Sequence, residues 1–320
     1  MSEKEELAKR IEELCGWKIN RFRMKIVTDL SDWMNIFRSD VIRIGGKDYV
    51  VRGNINEPRF GIDDQPKYWV FSAVDLENGD EKIIKTVFIE TFNAHIGIFK
   101  IKCYRAPEKE GGVLDLVRDD KRFMQGHQYN DEKGNNVRVI DFIRGKSFFH
   151  TLPKIEKPHK QYFEEDLPGI LTKLSGSFRA IKHLHDNGFC HGDIRNDHII
   201  VEADTGEYRW IDFDLKQDVS DFDIWSLGNI ISYAVGHGLK TFRAIIKSDD
   251  FSDDVKKSLS AADGSAFYNY RLMNFSKIYP YIPQRLSLIL RHFTSDPIGF
   301  YESIDEFCDS YDEMLHQEFL

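Results

Sequence analysis

Three features of the 320-residue sequence predict an α+β protein, a small β-rich part with one helix followed by a larger, mostly helical part. From about Asp40 to Ile143, short β-branched and aromatic runs alternate with Gly and Asn turns, which is the texture of hairpins. Beyond about Gly145, apolar residues recur at the period of helices that bury one face. No repeat, low-complexity segment or Pro/Gly/Ser linker separates the two. The expected division is an N-terminal extension over 1–40, a β-rich lobe over 41–143 and a helical lobe over 144–320.

Each element has its own signal. Residues 3 to 15 set Leu7, Ile11 and Leu14 at helical spacing among charges, with Gly16 as a stop; such a helix covers its own domain or docks a partner. VIRIGGKDYVVRG is two β runs around Gly45 and Gly46, and KYWVFSAVDLENGDEKIIKTVF is two more around Asn78-Gly79-Asp80. Pro107 suits a first helical turn ahead of the apolar Val113, Leu114 and Val117. HQYNDEKGNNVRVIDFIRG reads as a hairpin turning at Lys133 to Asn136. In the second part, Ile170, Leu171, Leu174, Phe178, Ile181 and Leu184 share one helical face, which Gly188 ends. DFDIWSLGNIISYAVGHG and PQRLSLILRHFT read as buried helices, and YESIDEFCDSYDEML as an amphipathic one.

Composition excludes some classes of function. Lys and Arg number 44 against 53 Asp and Glu, a net charge of −9 with no long basic run, so a nucleic-acid partner is not expected. The four cysteines are far apart, which fits reduced thiols in a cytoplasmic protein. The N-terminus is charged from the start, and no run approaches the ~18 apolar residues of a membrane span.

The most informative stretch is CHGDIRNDHIIVEADTGEYRWIDFD, in which Asp193 and Asp212 lie close to apolar stretches at the two ends of a β-hairpin pattern. Five strands with one helix, then helices carrying H-x-D and D-F-x, resemble the protein-kinase-like superfamily over roughly residues 41 to 315. The resemblance implies ATP and Mg²⁺ bound between two lobes, with roles for particular residues. Lys85 of KIIK would hold the α and β phosphates, and Glu110 would pair with it, Glu108 being the rival for that part. Ile140 stands at the gatekeeper position, and Asp141, Phe142 and Ile143 would offer backbone groups to an adenine. Ile83 and Ile200 complete the nucleotide-contacting set. Asp193 would orient the proton of an attacking hydroxyl, and Arg195 would bring positive charge to the transferring phosphoryl. Asp212 would hold the metal, with Phe213 as its packing neighbour. DFDIWSLG matches the family's D-x-W-S-L-G helix, in which Asp223 would brace the catalytic loop and Trp225 would be core.

Several positions depart from that pattern. His198 stands where the family has a metal-binding asparagine, and an imidazole suits softer metals than Mg²⁺. GNINEPRFG replaces the glycine-rich loop, and Ile83 replaces a small alanine. Only eight residues, Leu215 to Phe222, separate Asp214 from Asp223, and no A-P-E follows. The arginine of H-R-D is Gly192, and the arginine that would pair with the A-P-E glutamate is Phe300. These losses concern parts that act together, so regulation by activation-loop phosphorylation is not expected. H-G-D with I-D-F-D also resembles the small-molecule branch, the aminoglycoside and choline type phosphotransferases, and the acidic SDDFSDD could attract a cationic acceptor or be a solvated loop. The expected function is transfer of the γ-phosphoryl group of ATP to a hydroxyl of a protein Ser/Thr or a small molecule. The alternatives are a pseudokinase serving as an interaction module and, more distantly, a structural protein without a nucleotide site.

Overall fold

At Gly45 and Gly46 the backbone takes φ of 59° and 76°, the mirror-image turn whose twist matches that of the flanking strands. It joins β2 (Val41–Ile44) to β3 (Lys47–Arg59), which continues through β4 (Ile62–Asp75) to β5 (Glu81–Lys85). The computed structural model describes residues 2–59, 62–96, 99–217 and 222–320. They cluster as two units, Met1–Glu90 with Arg105–Ile143, and Thr91–Tyr104 with Arg144–Leu320.

The first unit is a seven-stranded sheet in the order β1-β2-β3-β4-β5-β9-β8, with β1 (Ile26–Val27), β8 (Gly126–Asn130) and β9 (Asn136–Asp141) completing it. Its strands alternate faces as the pleat requires. Val41, Val50 and Val74 face one cluster with Ile11 and Met24, while Ile42, Tyr49, Val51, Phe71 and Ala73 face another with Leu30 and Ile36. Residues 1–40, expected as an extension, therefore furnish core on both sides of this sheet. The helix α1 (Glu3–Cys15) is closed by a Ser2/Glu5 capping box and by Gly16 at φ 70°. It buries Ile11 completely, worth about 2 kcal/mol. Of GNINEPRFG, read as a replacement for a phosphate-covering loop, Gly53 to Arg59 continue the β3–β4 ribbon through register shifts at Val51/Gly53, Asn54/Ile55 and Glu57/Arg59, and residues 60 and 61 lie outside the described residues. Bulges of this kind let a polar, proline-containing stretch remain in a ladder. The second helix, α2 (Pro107–Leu116), starts on its proline and buries Glu110, Val113 and Leu114.

The second unit contains two three-stranded sheets, β10-β11-β12 (Gly145–Ser147, Ile199–Glu202, Tyr208–Trp210) and β13-β7-β6. The hairpin β6 (Thr91–Ile96) and β7 (Phe99–Arg105) was not read from sequence, yet Ile101 and Cys103 alternate with Lys100, Lys102 and Tyr104, which is a strand period. Ile101 and Cys103 bury against Leu215 of β13 (Leu215–Gln217), with Phe222 and Phe267 beside them.

The helices of this unit are α3 (Phe148–Thr151), α4 (His159–Glu165), α5 (Leu167–Asp186), α6 (Phe222–Val235), α7 (Phe242–Lys247), α8 (Asp253–Ser258), α9 (Gln284–Arg291) and α10 (Ile304–Glu318). Along α5, Leu171, Leu174, Phe178, Ile181 and Leu184 are buried and Ile170 is half-buried. Gly188, at φ 77°, lies just past its end. Ser303 caps α10 by accepting a hydrogen bond from the Glu306 amide.

His159 ties α4 to the rest of this unit in its neutral form. Its Nε2–H donates to the Val235 carbonyl at 2.8 Å, its Nδ1 accepts from the Tyr281 hydroxyl at 2.7 Å, and its ring stacks on Tyr279. Burial, reinforced by the Lys240 charge, outweighs the Val235 bond and pushes the imidazole down to about 4. An unfolded histidine takes its proton near pH 6.5, so this contribution to stability is complete above pH 6.5 and is lost as pH falls to about 4. After allowance for partial exposure it amounts to about 2 kcal/mol. Urea unfolding of the wild type is expected to weaken over that window, and His159→Gln is expected to flatten the pH dependence there; equal slopes for both proteins would contradict this account.

Candidate active site

In the first unit, antiparallel pairing of β5 with β9 sets Ile83 opposite Ile140 and Lys85 opposite Arg138, so the period of two puts all four on one face. Glu110 reaches them from the first turn of α2 and is wholly buried. Its Oε1 accepts from Lys85 Nζ at 2.6 Å and its Oε2 from Arg138 Nε at 3.1 Å. Glu108 is exposed, so the buried partner of Lys85 is Glu110. Arg138 was not singled out in the sequence. The signal was an arginine within the apolar run Val137 to Ile140, a place where a charge must find a partner. Arg138 is 1% exposed, and its NH1 also donates to the Asn136 carbonyl.

At the expected adenine strand, the Asp141 amide donates to the Gln125 carbonyl at 2.8 Å and the Phe142 amide to Glu81 at 3.2 Å. Two of the backbone donors assigned to an adenine are therefore engaged within the unit. Lys82 pairs with the Asp141 carboxylate at 2.6 Å. The next amide along, that of Ile143, carries no hydrogen bond among the described residues.

In the second unit, Asp223 in the first turn of α6 organises the loop that carries Asp193. The carboxylate is 1% exposed and accepts from the His191 amide at 2.6 Å, the Gly192 amide at 2.8 Å and His185 Nε2 at 3.0 Å. Burial would raise its pKa, but the His185 hydrogen bond, the positive potential of His191 and His185 and the Gly192 amide outweigh it and hold the group below the usual carboxylate value. Gly192 stands at φ 83°, a conformation that glycine adopts without the penalty an arginine would meet. The Gly192 carbonyl accepts from Gln217 Nε2 at 2.6 Å, and the His191 ring lies against Phe213 and Trp210.

His198, in the short 3₁₀ turn after Asp193, lies near both aspartates. Its Nδ1 is 2.7 Å from the Asp193 carbonyl oxygen and 3.7 Å from Asp193 Oδ2, and its Nε2 is 3.6 Å from Asp212 Oδ2. The side chains of Asp193 and Asp212 are 28% and 13% exposed, which leaves them able to meet a ligand. Asp212 has a φ of 71°, unusual for a non-glycine residue and strained by about 1 kcal/mol. Arg195, expected to face a phosphoryl group, forks its guanidinium onto Asp197, with its NH1 4.0 Å from Asp193 Oδ2. Burial raises the pKa of Asp197, but the adjacent His198 and Arg195 prevail and hold it low. Ile200 is half-buried in β11, paired with Arg209 and Ser147.

As to a metal, no cluster of three or more His, Cys, Asp or Glu side chains with ligand geometry occurs among the described residues. Asp212 provides hard oxygens of the kind Mg²⁺ takes alongside nucleotide phosphates, so a site with few protein ligands fits the donors present. Of the short segment before α6, Leu215–Gln217 forms β13 and residues 218–221 lie outside the described residues. Trp225, expected in the core, is half-buried, its ring 5.1 Å from Phe300 and 5.0 Å from Phe267. An aromatic contact thus stands at the position where the resemblance puts an arginine. Asp249, Asp250, Asp253 and Asp254 of the acidic stretch are exposed around the start of α8.

A Lys–Glu pair on a sheet in one unit, and an H-x-D loop braced by a helical aspartate in the other, are the features that the resemblance to protein kinases implies. No family model matches the chain. It is 27% identical over 124 residues to the probable serine/threonine-protein kinase fnkE of Dictyostelium discoideum, covering 38% of this chain and 9% of that protein. It is 30% identical over 107 residues to the serine/threonine-protein kinase AtPK1/AtPK6 of Arabidopsis thaliana, covering 33% of this chain and 21% of that one. The chain therefore matches well under a third of the length of either relative. Among solved structures, the PknI kinase domain of Mycobacterium tuberculosis aligns with a TM-score of 0.49 at 12% identity, covering 85% of this chain and 97% of that domain. Over about a third of its length the chain is thus similar to serine/threonine-protein kinases, the resemblance that its motif order also carries. Among the described residues no helix is long and apolar enough to cross a membrane.

The shared burial of Glu110 has a measurable consequence. Arg138→Met is expected to cost about 3 kcal/mol in urea unfolding, because it removes one of two cations from a carboxylate that water does not reach. Adding Glu110→Leu to it is expected to recover part of that loss. A single variant as stable as the wild type would show that Arg138 does not hold Glu110.

Proposed function

We propose that the chain is an ATP- and divalent-metal-dependent phosphotransferase, Mg²⁺ being the metal that the resemblance implies, which moves the γ-phosphoryl group to a hydroxyl acceptor in a cytoplasmic setting. The observation that carries this reading is the 2.6 Å pair between Lys85 and the wholly buried Glu110. A scaffold has no need of a lysine fixed this way, whereas an ammonium aimed at phosphates does. The braced turn at Asp223 supports the same reading, since it fixes the backbone on which a partly exposed Asp193 stands.

When bound, the metal supplies positive charge against the phosphate oxygens. Lys85 orients phosphates while Glu110 and Arg138 fix its position. Asp193 accepts a hydrogen bond from the acceptor hydroxyl and takes its proton as the oxygen attacks. Arg195, forked onto Asp197, keeps the loop in shape rather than meeting the phosphoryl group itself. Positioning of this kind can contribute up to ~7–11 kcal/mol of barrier lowering. Ile83, Ile140, Ile200 and the hinge stretch Asp141–Ile143 are assigned to the nucleotide, with the Ile143 amide as the available donor. The short segment after Asp214 supports a small-molecule acceptor or a protein hydroxyl held by other surfaces.

A pseudokinase is the second reading. It is favoured by His198 at the asparagine position and by the paired ribbon at Gly53 to Arg59. Calorimetry and radiolabel transfer separate the two. The wild type is expected to bind ATP with metal, Asp212→Ala to lose the metal dependence and Lys85→Ala to bind more weakly. Asp193→Ala is expected to keep nucleotide binding and lose at least ~100-fold in transfer. Unchanged transfer by Asp193→Ala would sink the enzyme assignment, and absence of nucleotide binding by the wild type would leave the interaction module.

A further inference from the structure

We propose that one face of the sheet β13-β7-β6 is a docking surface for an acidic, extended segment of a protein acceptor. It rests on the phosphotransfer reading and names the acceptor class for it, a Ser or Thr hydroxyl carried among carboxylates. The hairpin of β6 and β7 stands between Lys85 and α2 in the chain, yet it belongs to the second unit, where it shares a sheet with β13.

In β7, Ile101 and Cys103 are buried, so the pleat puts Lys100, Lys102 and Tyr104 on the opposite face. Antiparallel register adds Thr91 beside Tyr104 and Asn93 beside Lys102. In β13, Leu215 buries with Ile101 and Cys103, which turns Lys216 outward, its Nζ 5.9 Å from the centre of the Tyr104 ring. Lys100, Lys102 and Lys216 are exposed, and among the described residues none of them makes a hydrogen bond or an ion pair. No Asp or Glu occurs in any of the three strands. A face that is cationic throughout runs against a net charge of −9. Like charges on neighbouring positions of a sheet weaken it, whereas an anion laid across them turns the repulsion into attraction.

The shape of the face selects the occupant. Lys100 and Lys102 are two residues apart on one strand, about 6.8 Å, which is also the repeat of alternate side chains in an extended peptide. An open sheet face suits a segment that lies along it, while a small anion is held in a concave site. The surface also lies where an acceptor is needed. Gln217, next to Lys216, donates from Nε2 to the Gly192 carbonyl at 2.6 Å, so the cationic strand abuts the loop that carries Asp193. Carboxylates held by the three lysines would keep a neighbouring hydroxyl within reach of that loop. The exposed Asp249, Asp250, Asp253 and Asp254 offer the opposite charge, and would serve a cationic acceptor instead.

Fluorescence anisotropy on the full chain reads the choice with three labelled peptides: a serine flanked by alternating Glu, the same peptide with Gln, and the same with Lys. The wild type is expected to prefer the Glu peptide and to bind it less tightly as salt rises. Combined Lys100→Glu, Lys102→Glu and Lys216→Glu is expected to cost about tenfold or more in affinity. Each single Lys→Gln change is expected to give part of that loss, a milder set should the triple reversal fail to fold. Combined Lys160→Glu, Lys247→Glu and Lys257→Glu makes the same charge change at exposed sites elsewhere in the unit, and is expected to stay within about twofold. Equal binding of the Glu and Gln peptides, preference for the Lys peptide, or undiminished binding by the variants at 100, 102 and 216 overturns the docking surface. Binding of phosphatidylserine vesicles in place of the Glu peptide overturns it in favour of a lipid surface. Calorimetry with a non-hydrolysable ATP analogue separates this from the phosphotransfer reading. If the Glu peptide behaves as expected while the analogue binds under no condition, the surface stands and the phosphotransfer reading fails; if the analogue binds and no peptide is preferred, the reverse holds.

Discussion

A carboxylate sealed from water must be satisfied where it lies, and Asp223 is satisfied by the backbone of the turn that precedes Asp193. This constraint governs the second unit. Two consecutive amides can point at one carboxylate only if the chain bends back on itself, which it does at Gly192 with a φ of 83°. The bend sets His191 against Phe213 and Trp210, and from it follow the positions of Asp193 and of the His198 ring that spans toward Asp212. A larger side chain at Gly192 would strain that bend.

The first unit solves the same problem with side chains. Glu110 is buried as completely as Asp223, but it sits on a helix whose own amides are engaged in the helix, so its oxygens are shared by two cations from adjacent strands. Lys85 and Arg138 face each other across β5 and β9, and a single anion between them turns a like-charge pair into a stable triad. The helix position thereby becomes a property of the sheet's register. A slip of one residue in either strand would carry its cation to the other face.

Much of this was legible in the sequence where one local rule dominates. The α1 stripe with its Gly16 stop, the Gly45-Gly46 turn and the α5 face each follow from a period plus a breaker, and each stands where the pattern put it. The H-G-D and D-F-D segments were singled out for a different reason: the resemblance rests on motifs that recur in a fixed order. What escaped was non-local. Glu110 was preferred to Glu108 as the partner of Lys85, but its complete burial was not readable, because burial depends on which helical face meets β5 and β9. Arg138 read as part of a strand, since its partner is 28 residues away. The ribbon through Gly53 to Arg59 was hidden because bulges break the alternation that announces a strand. For residues 1–40, read as an extension whose helix covers its own domain or docks a partner, the sequence does not say which face of the sheet each segment meets.

The departures from the family also have a common physical direction. A kinase switched by phosphorylation needs charged groups that wait for a phosphate, and groups that wait must be exposed and unsatisfied. Here the corresponding places hold a glycine in a left-handed turn, a phenylalanine against Trp225, and a strand, β13, whose Leu215 is buried against Ile101 and Cys103. Each replaces an interaction that would have to be acquired with one that forms on folding. The hairpin of β6 and β7 fits this pattern, because it gives Leu215 an apolar partner and gives the chain just beyond Asp214 a neighbouring strand. The strained φ of Asp212 is then held from one side by that pairing and from the other by the packing of Phe213, without an added phosphate.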